Sequence, residues 1–187
     1  MKFRKTMLIG ALVACAAVPA FAQDAGSMKN DAPAKSAWRP DANGARDTAA
    51  GFAISTAMVV NDVATRCAAL DANLAASASA ARDAWWARNQ LMVEAANGYV
   101  RYLQALYQVK RGEDAAKSFY AGVFQDLRAQ GDATVDGLFK DVKDEHATCE
   151  RLVAAYTSGS MDLAATADQY QVLVAMDRDL KAYRGVQ

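Results

Sequence analysis

The chain has 187 residues, 21 basic and 21 acidic side chains and 53% hydrophobic residues, which suits one domain with a core of its own. The first 22 residues hold Lys2, Arg4 and Lys5 and no acid, so the remainder carries 18 basic against 21 acidic groups. A slightly acidic chain without a basic run has no electrostatic reason to bind nucleic acid and lacks the polybasic face of a membrane-surface helix.

The start, MKFRKTMLIGALVACAAVPAFAQDAG, reads as a secretory signal peptide over residues 1–22. A basic start precedes an apolar run from Met7 to Val18, and Ala20-Phe21-Ala22 is a small-x-small cleavage site. The apolar run is too short to span a membrane, and no later transmembrane segment is expected. Leu12-Val13-Ala14-Cys15 also resembles a bacterial lipoprotein signal with Cys15 as the acylated residue, although the residues after it stay apolar through Ala22. The expected location is periplasmic or secreted, or the outer membrane if Cys15 is lipidated.

Residues 23–46 are polar, hold Pro33 and Pro40, and lack an apolar period, which predicts a disordered linker with Trp38 inside it. All three prolines fall at or before position 40, so nothing from Asp41 onward forces a helix to break. The domain is expected over residues 47–187.

With Asp47 as N-cap, a first helical stripe runs Thr56, Val59, Val63, Cys67, Leu70, Leu74 in steps of three and four. A second runs Met92, Ala95, Tyr99, Tyr102, Leu106, Val109 and closes at Lys110-Arg111-Gly112. The period threads between them through Ala78, Ala81 and Trp85, so one long helix competes with a turn near Ser77 to Ser79, and the turn is the expectation. A third helix carries Phe119, Val123 and Leu127 and stops at Gly131. Asp132 caps a fourth with Val135, Leu138, Val142, His146, Cys149, Leu152 and Tyr156, ending at Gly159. Ser160 begins a fifth with Leu163, Tyr170, Leu173, Met176, Leu180 and Tyr183. Short connections then predict an all-α, up-and-down bundle of four or five antiparallel helices behind a disordered N-terminal leader.

Of the three cysteines, Cys15 falls in the leader; Cys67 and Cys149 lie on the apolar stripes of their helices, and two cysteines left in an exported chain predict a disulfide stapling the first helix to the fourth. His146 is the single histidine. Without Cys-x-x-Cys-His there is no covalent haem, and Met58, Met92 and Met176 read as packing rather than as axial ligands. Neither a nucleophile elbow, a phosphate loop, His-Glu-x-x-His nor Glu-x-x-His is present. No catalytic residue, cofactor or metal is expected.

The pair Trp85-Trp86 stands inside a helix, where neighbouring side chains point about 100° apart. Trp85 falls on the core stripe. Trp86 aligns with Arg82 and Gln90 on a mainly polar flank, where it either packs beneath another element or anchors a partner; Trp86, Arg82 and Gln90 are the candidate partner-binding residues. The overall plan of signal peptide, helical domain and one disulfide resembles exported immunity proteins and small inhibitors, which bind toxins such as cell-wall hydrolases. That resemblance implies a protein partner and no chemistry, and it carries over no residue roles. A second reading is a small-molecule or haem-type carrier with its ligand near His146 and Tyr99, Tyr102 and Tyr170. A third is an envelope structural protein or stress chaperone. A homodimer is compatible with every reading.

Overall fold

The computed structural model describes residues 43–184, with side chains described through Ala182. The expected signal peptide, Cys15, Trp38 and the expected linker up to Ala42 lie outside the described residues. Five helices and one short 3-10 turn (Leu163–Ala165) make up the described fold, and it contains no strand.

Helix α1 (Gly44–Ala68) starts three residues before the expected Asp47, because Asn43 is the N-cap and its Oδ1 accepts the Arg46 N–H at 3.0 Å. Its buried side chains are mostly small, and Ala49, Ala53, Val60 and Cys67 are fully enclosed. Helix α2 (Ala72–Arg111) is 40 residues long, about 60 Å at 1.5 Å per residue. The expected turn at Ser77–Ser79 is absent. The break falls at Ala69–Asp71, where the Asp71 carboxylate caps α2 by accepting the N–H groups of Asn73 and Leu74 at 2.8 and 2.9 Å. Ser77 instead turns its hydroxyl back onto the carbonyls of Asn73 and Leu74 inside the helix.

One residue joins α2 to α3 (Glu113–Phe139). Gly112 has φ +88°, its N–H bonds the Gln108 carbonyl, and its own carbonyl accepts from Ala116. That positive φ is the reason a glycine stands there. Helix α3 passes through Gly131 instead of stopping. Gly131 is buried against Met58 of α1, and Asp132 pairs with Arg128 at 3.1 Å rather than capping a new helix. The chain breaks later, over Lys140–Asp144, with Asp141 at φ 56° and Asp144 capping α4 (Glu145–Ser158) through the Ala147 N–H. The expected fourth stripe is therefore divided, with Val135 and Leu138 on α3 and His146 and Cys149 on α4. Gly159, at φ +81°, ends α4 as expected, but α5 (Ala167–Arg184) starts after the 3-10 turn rather than at Ser160.

Cross-helix contacts give the directions. Asp47 meets Tyr99 and Asn61 meets Trp86, so α1 and α2 run antiparallel. Met58 lies beside Gly131 and Arg66 stacks over Phe139, so α3 runs with α1. His146 meets Asp71 and the Tyr156 carbonyl meets Arg88, so α4 runs with the first half of α2. The Leu163 N–H meets Asn89 and Leu180 packs on Gly98, so α5 follows the second half. Consecutive helices reverse direction except at this last step. There α4 and α5 continue one way, because the connection is pinned to α2 before it can turn back. Helix α2 touches each of the other four, and the core lies along it, with Trp85, Leu127, Leu163 and Leu173 among the largest fully buried side chains.

Candidate functional site

The two tryptophans enter different seams. Trp85 is fully buried, and its indole N–H donates to the Met161 carbonyl at 3.0 Å. Trp86 is half-buried and turns toward α1, where its indole N–H donates to Asn61 Oδ1 at 3.0 Å. The rings meet edge to face at 5.6 Å and 89°. Arg82 and Gln90 lie one turn to either side of Trp86 on the same flank. Arg82 bonds Asp83 and Ser79, and Gln90 bonds Glu94, so both polar groups are engaged along their own helix. The structure brings the three residues into one strip. The strip offers a half-buried Trp86 and two exchangeable polar groups.

Sequence reasoning missed a polar junction where α4 gives way to α5. Arg88 grips the Asp162 carboxylate through Nε at 2.7 Å and through a terminal nitrogen at 3.1 Å, and it also donates to the Tyr156 carbonyl. Pairing with Asp162 raises the Arg88 pKa further. Buried Asn89 donates to the Trp85 carbonyl and to Asp162, and its own Oδ1 accepts the Leu163 N–H at 2.9 Å. The signal was present, since Asn89 stands on the core stripe four residues after Trp85 and three before Met92. This junction is a saturated structural joint that fixes where α5 begins.

Helix α4 is held on its inner side by the disulfide. The sulfurs of Cys67 and Cys149 lie 2.04 Å apart, at bonding distance, and both residues are fully buried. Beside them Arg66 stacks on Phe139 at 4.1 Å and pairs with Glu145 at 2.7 Å. The outer side of α4 stands as a ridge between two shallow grooves of about 590 and 600 Å³. One is bordered by Val142, Lys143 and Arg151, the other by Leu74, His146 and Val153, and Glu150 and Ala154 belong to both.

His146 is exposed rather than facing the interior. Its Nε2 lies 2.8 Å from Asp71 and its Nδ1 3.6 Å from Glu150. The Leu74 N–H, with smaller contributions from His146 and the Asn73 N–H, holds the Asp71 carboxyl below the usual aspartate range. The carrier residues do not converge. His146 touches Asp71, and Tyr99 lies 28 residues further along the same helix, about 42 Å away. Among the described residues no three His, Cys, Asp or Glu side chains are grouped to hold a metal ion, and no helix is long and apolar enough to cross a membrane.

At the far end of α2, Asp47 is buried rather than capping a helix. Its Oδ1 accepts the Tyr99 hydroxyl at 2.8 Å, and Oδ2 is enclosed without a hydrogen-bond partner. Burial raises the Tyr99 pKa, and Asp47 adds to the rise when ionised. Tyr156, also buried with an unpartnered hydroxyl, is pushed up to about 12 by burial alone. No protein-family model, curated protein or solved structure matches this chain.

Proposed function

We propose that this is an exported, non-enzymatic protein that acts by binding a protein partner, in the manner of an immunity or inhibitor protein directed at a toxin or cell-wall hydrolase. The observation that carries the reading is the relief around α4. It is a ridge with a groove on each flank and a rim of mixed charge from Lys143, Asp144, Glu150 and Arg151. Its inward face is locked to α1 through Cys67 and Cys149. A surface held rigid before binding loses less conformational entropy on association, and shallow grooves suit the side chains of a protein better than a small molecule. The Arg82–Trp86–Gln90 strip is the second candidate surface, with the half-buried Trp86 at its centre.

The test is photo-cross-linking in periplasmic extract from producing and competing strains, with a photoreactive residue at Ala154 in one sample and at Gln90 in another. One stoichiometric partner captured from Ala154 and lost with Arg151→Glu, the fold being retained by circular dichroism, supports the α4 surface. Capture from Gln90 alone, abolished by Trp86→Glu, moves the interface to the tryptophan strip. A captured hydrolase that the purified protein inhibits at one-to-one stoichiometry supports the inhibitor form. Many weak partners unaffected by either substitution would overturn it in favour of a chaperone or structural role.

A further inference from the structure

The first turn of α1 holds a buried acid that no cationic side chain bonds. Asp47 is 8% exposed. One carboxyl oxygen takes the Tyr99 hydroxyl at 2.8 Å, the other has no partner, and the residue lines a cavity of about 10 Å³. That space is enough for a single water-sized species and too small for a hydrated cation. Its walls are Val100 and Leu103 of α2 and Phe119, Val123 and Leu127 of α3.

The titratable and charged groups facing Asp47 are few. Helix α2 contributes Tyr99, and α3 presents apolar side chains. On α1 itself Arg46 is adjacent, but its guanidinium is taken by Asp179 of α5 at 2.6 Å. Ionised, the carboxyl would face a hydroxyl and a hydrocarbon wall, its charge offset chiefly by the N-terminal end of α1; protonated, it keeps its hydrogen bond with Tyr99 and carries no buried charge.

We infer that Asp47 is a proton-operated latch, which seats the first turn of α1 on α2 and α3 when protonated and loosens that turn when ionised. Burial pushes its carboxyl above the ordinary 3.8, and the Tyr99 hydrogen bond offsets only part of that rise. A folded-state value above the unfolded one means the stabilisation is complete below pH 3.8 and is lost as pH rises through the raised value. The same turn holds the Arg46–Asp179 pair, so its opening also frees the end of α5.

The experiment is backbone amide hydrogen exchange on the protein from pH 4 to 8, corrected for intrinsic exchange rates, for wild type and Asp47→Asn. The expected result is that wild-type protection over residues 48–54 falls with rising pH, by up to roughly tenfold per pH unit once ionisation controls opening. Residues 123–135 of α3 should stay level, and the variant should be flat in both regions. Parallel profiles for wild type and variant would overturn the latch. So would a carbon-13 titration of the wild-type Asp47 carboxyl that falls at or below 3.8, a measurement that holds even if the variant fails to fold.

Discussion

The indole N–H of Trp86 donates to the Asn61 side-chain oxygen at 3.0 Å, tying the middle of α2 to the middle of α1. Trp86→Phe keeps a ring in the seam and removes the donor, which should lower stability by about 1 kcal/mol. Asn61→Ala should cost a similar amount, and the double variant less than the sum. Urea denaturation of the four proteins measures the coupling, and strict additivity would show that the bond contributes nothing.

The Cys67–Cys149 pair closes a loop with a sequence separation of 82, for which chain entropy gives about 4.5 kcal/mol. Replacing both cysteines by serine should lower the unfolding free energy by several kcal/mol. Neither cysteine should react with a thiol reagent in unfolded, unreduced protein.

Asn89→Ala should destabilise by about 2–3 kcal/mol. It removes three hydrogen bonds at once and leaves the N–H of fully buried Leu163 without an acceptor. The loss should appear as a lower thermal midpoint, with faster amide exchange over residues 159–165 before the rest of the chain.

Gly131→Ala distinguishes a glycine inside a helix from one that ends it. An added Cβ would meet the Met58 Cβ at 3.5 Å, an ordinary contact, so the substitution should stabilise by about 0.5–1 kcal/mol in urea titration. At Gly112, with φ +88°, the same change should destabilise.

Asp71 gives the opposite pH behaviour to Asp47. Its pKa is lowered, so its contribution is present above the unfolded value of 3.8 and disappears as pH falls through the folded one. Asp71→Asn should therefore have a lower thermal midpoint than wild type at pH 7, and the two should converge in acid. His146→Ala should show part of the same loss near neutrality.

The helical class, the cysteine pairing and the burial of Trp85 were legible because each rests on periodicity, which reports a residue's face directly. Boundaries were harder to read. Gly131 resembled a stop because composition does not distinguish a glycine packed on Met58 from one in a left-handed turn. The break at Asp71 was hidden because alanine on both sides continues the period. His146 fell on the extrapolated stripe, but the break at Lys140–Asp144 resets the helical phase and turns the ring outward. The period puts Trp86 on a flank with Arg82 and Gln90, while its bond to Asn61 depends on a pairing between helices that no local pattern encodes. The Asp47–Tyr99 contact, 52 positions apart in sequence, was unreadable for the same reason.

Arg46 at the start of α1 and Asp179 near the end of α5 are in contact, whereas Cys149, Glu145 and His146 gather at the opposite pole, around Arg66 and Asp71. The described chain thus enters and leaves at one pole of an elongated body, and the α4 ridge lies toward the other. A contact made at the Arg46–Asp179 pole and one made in the α4 grooves therefore fall at opposite ends of the described residues.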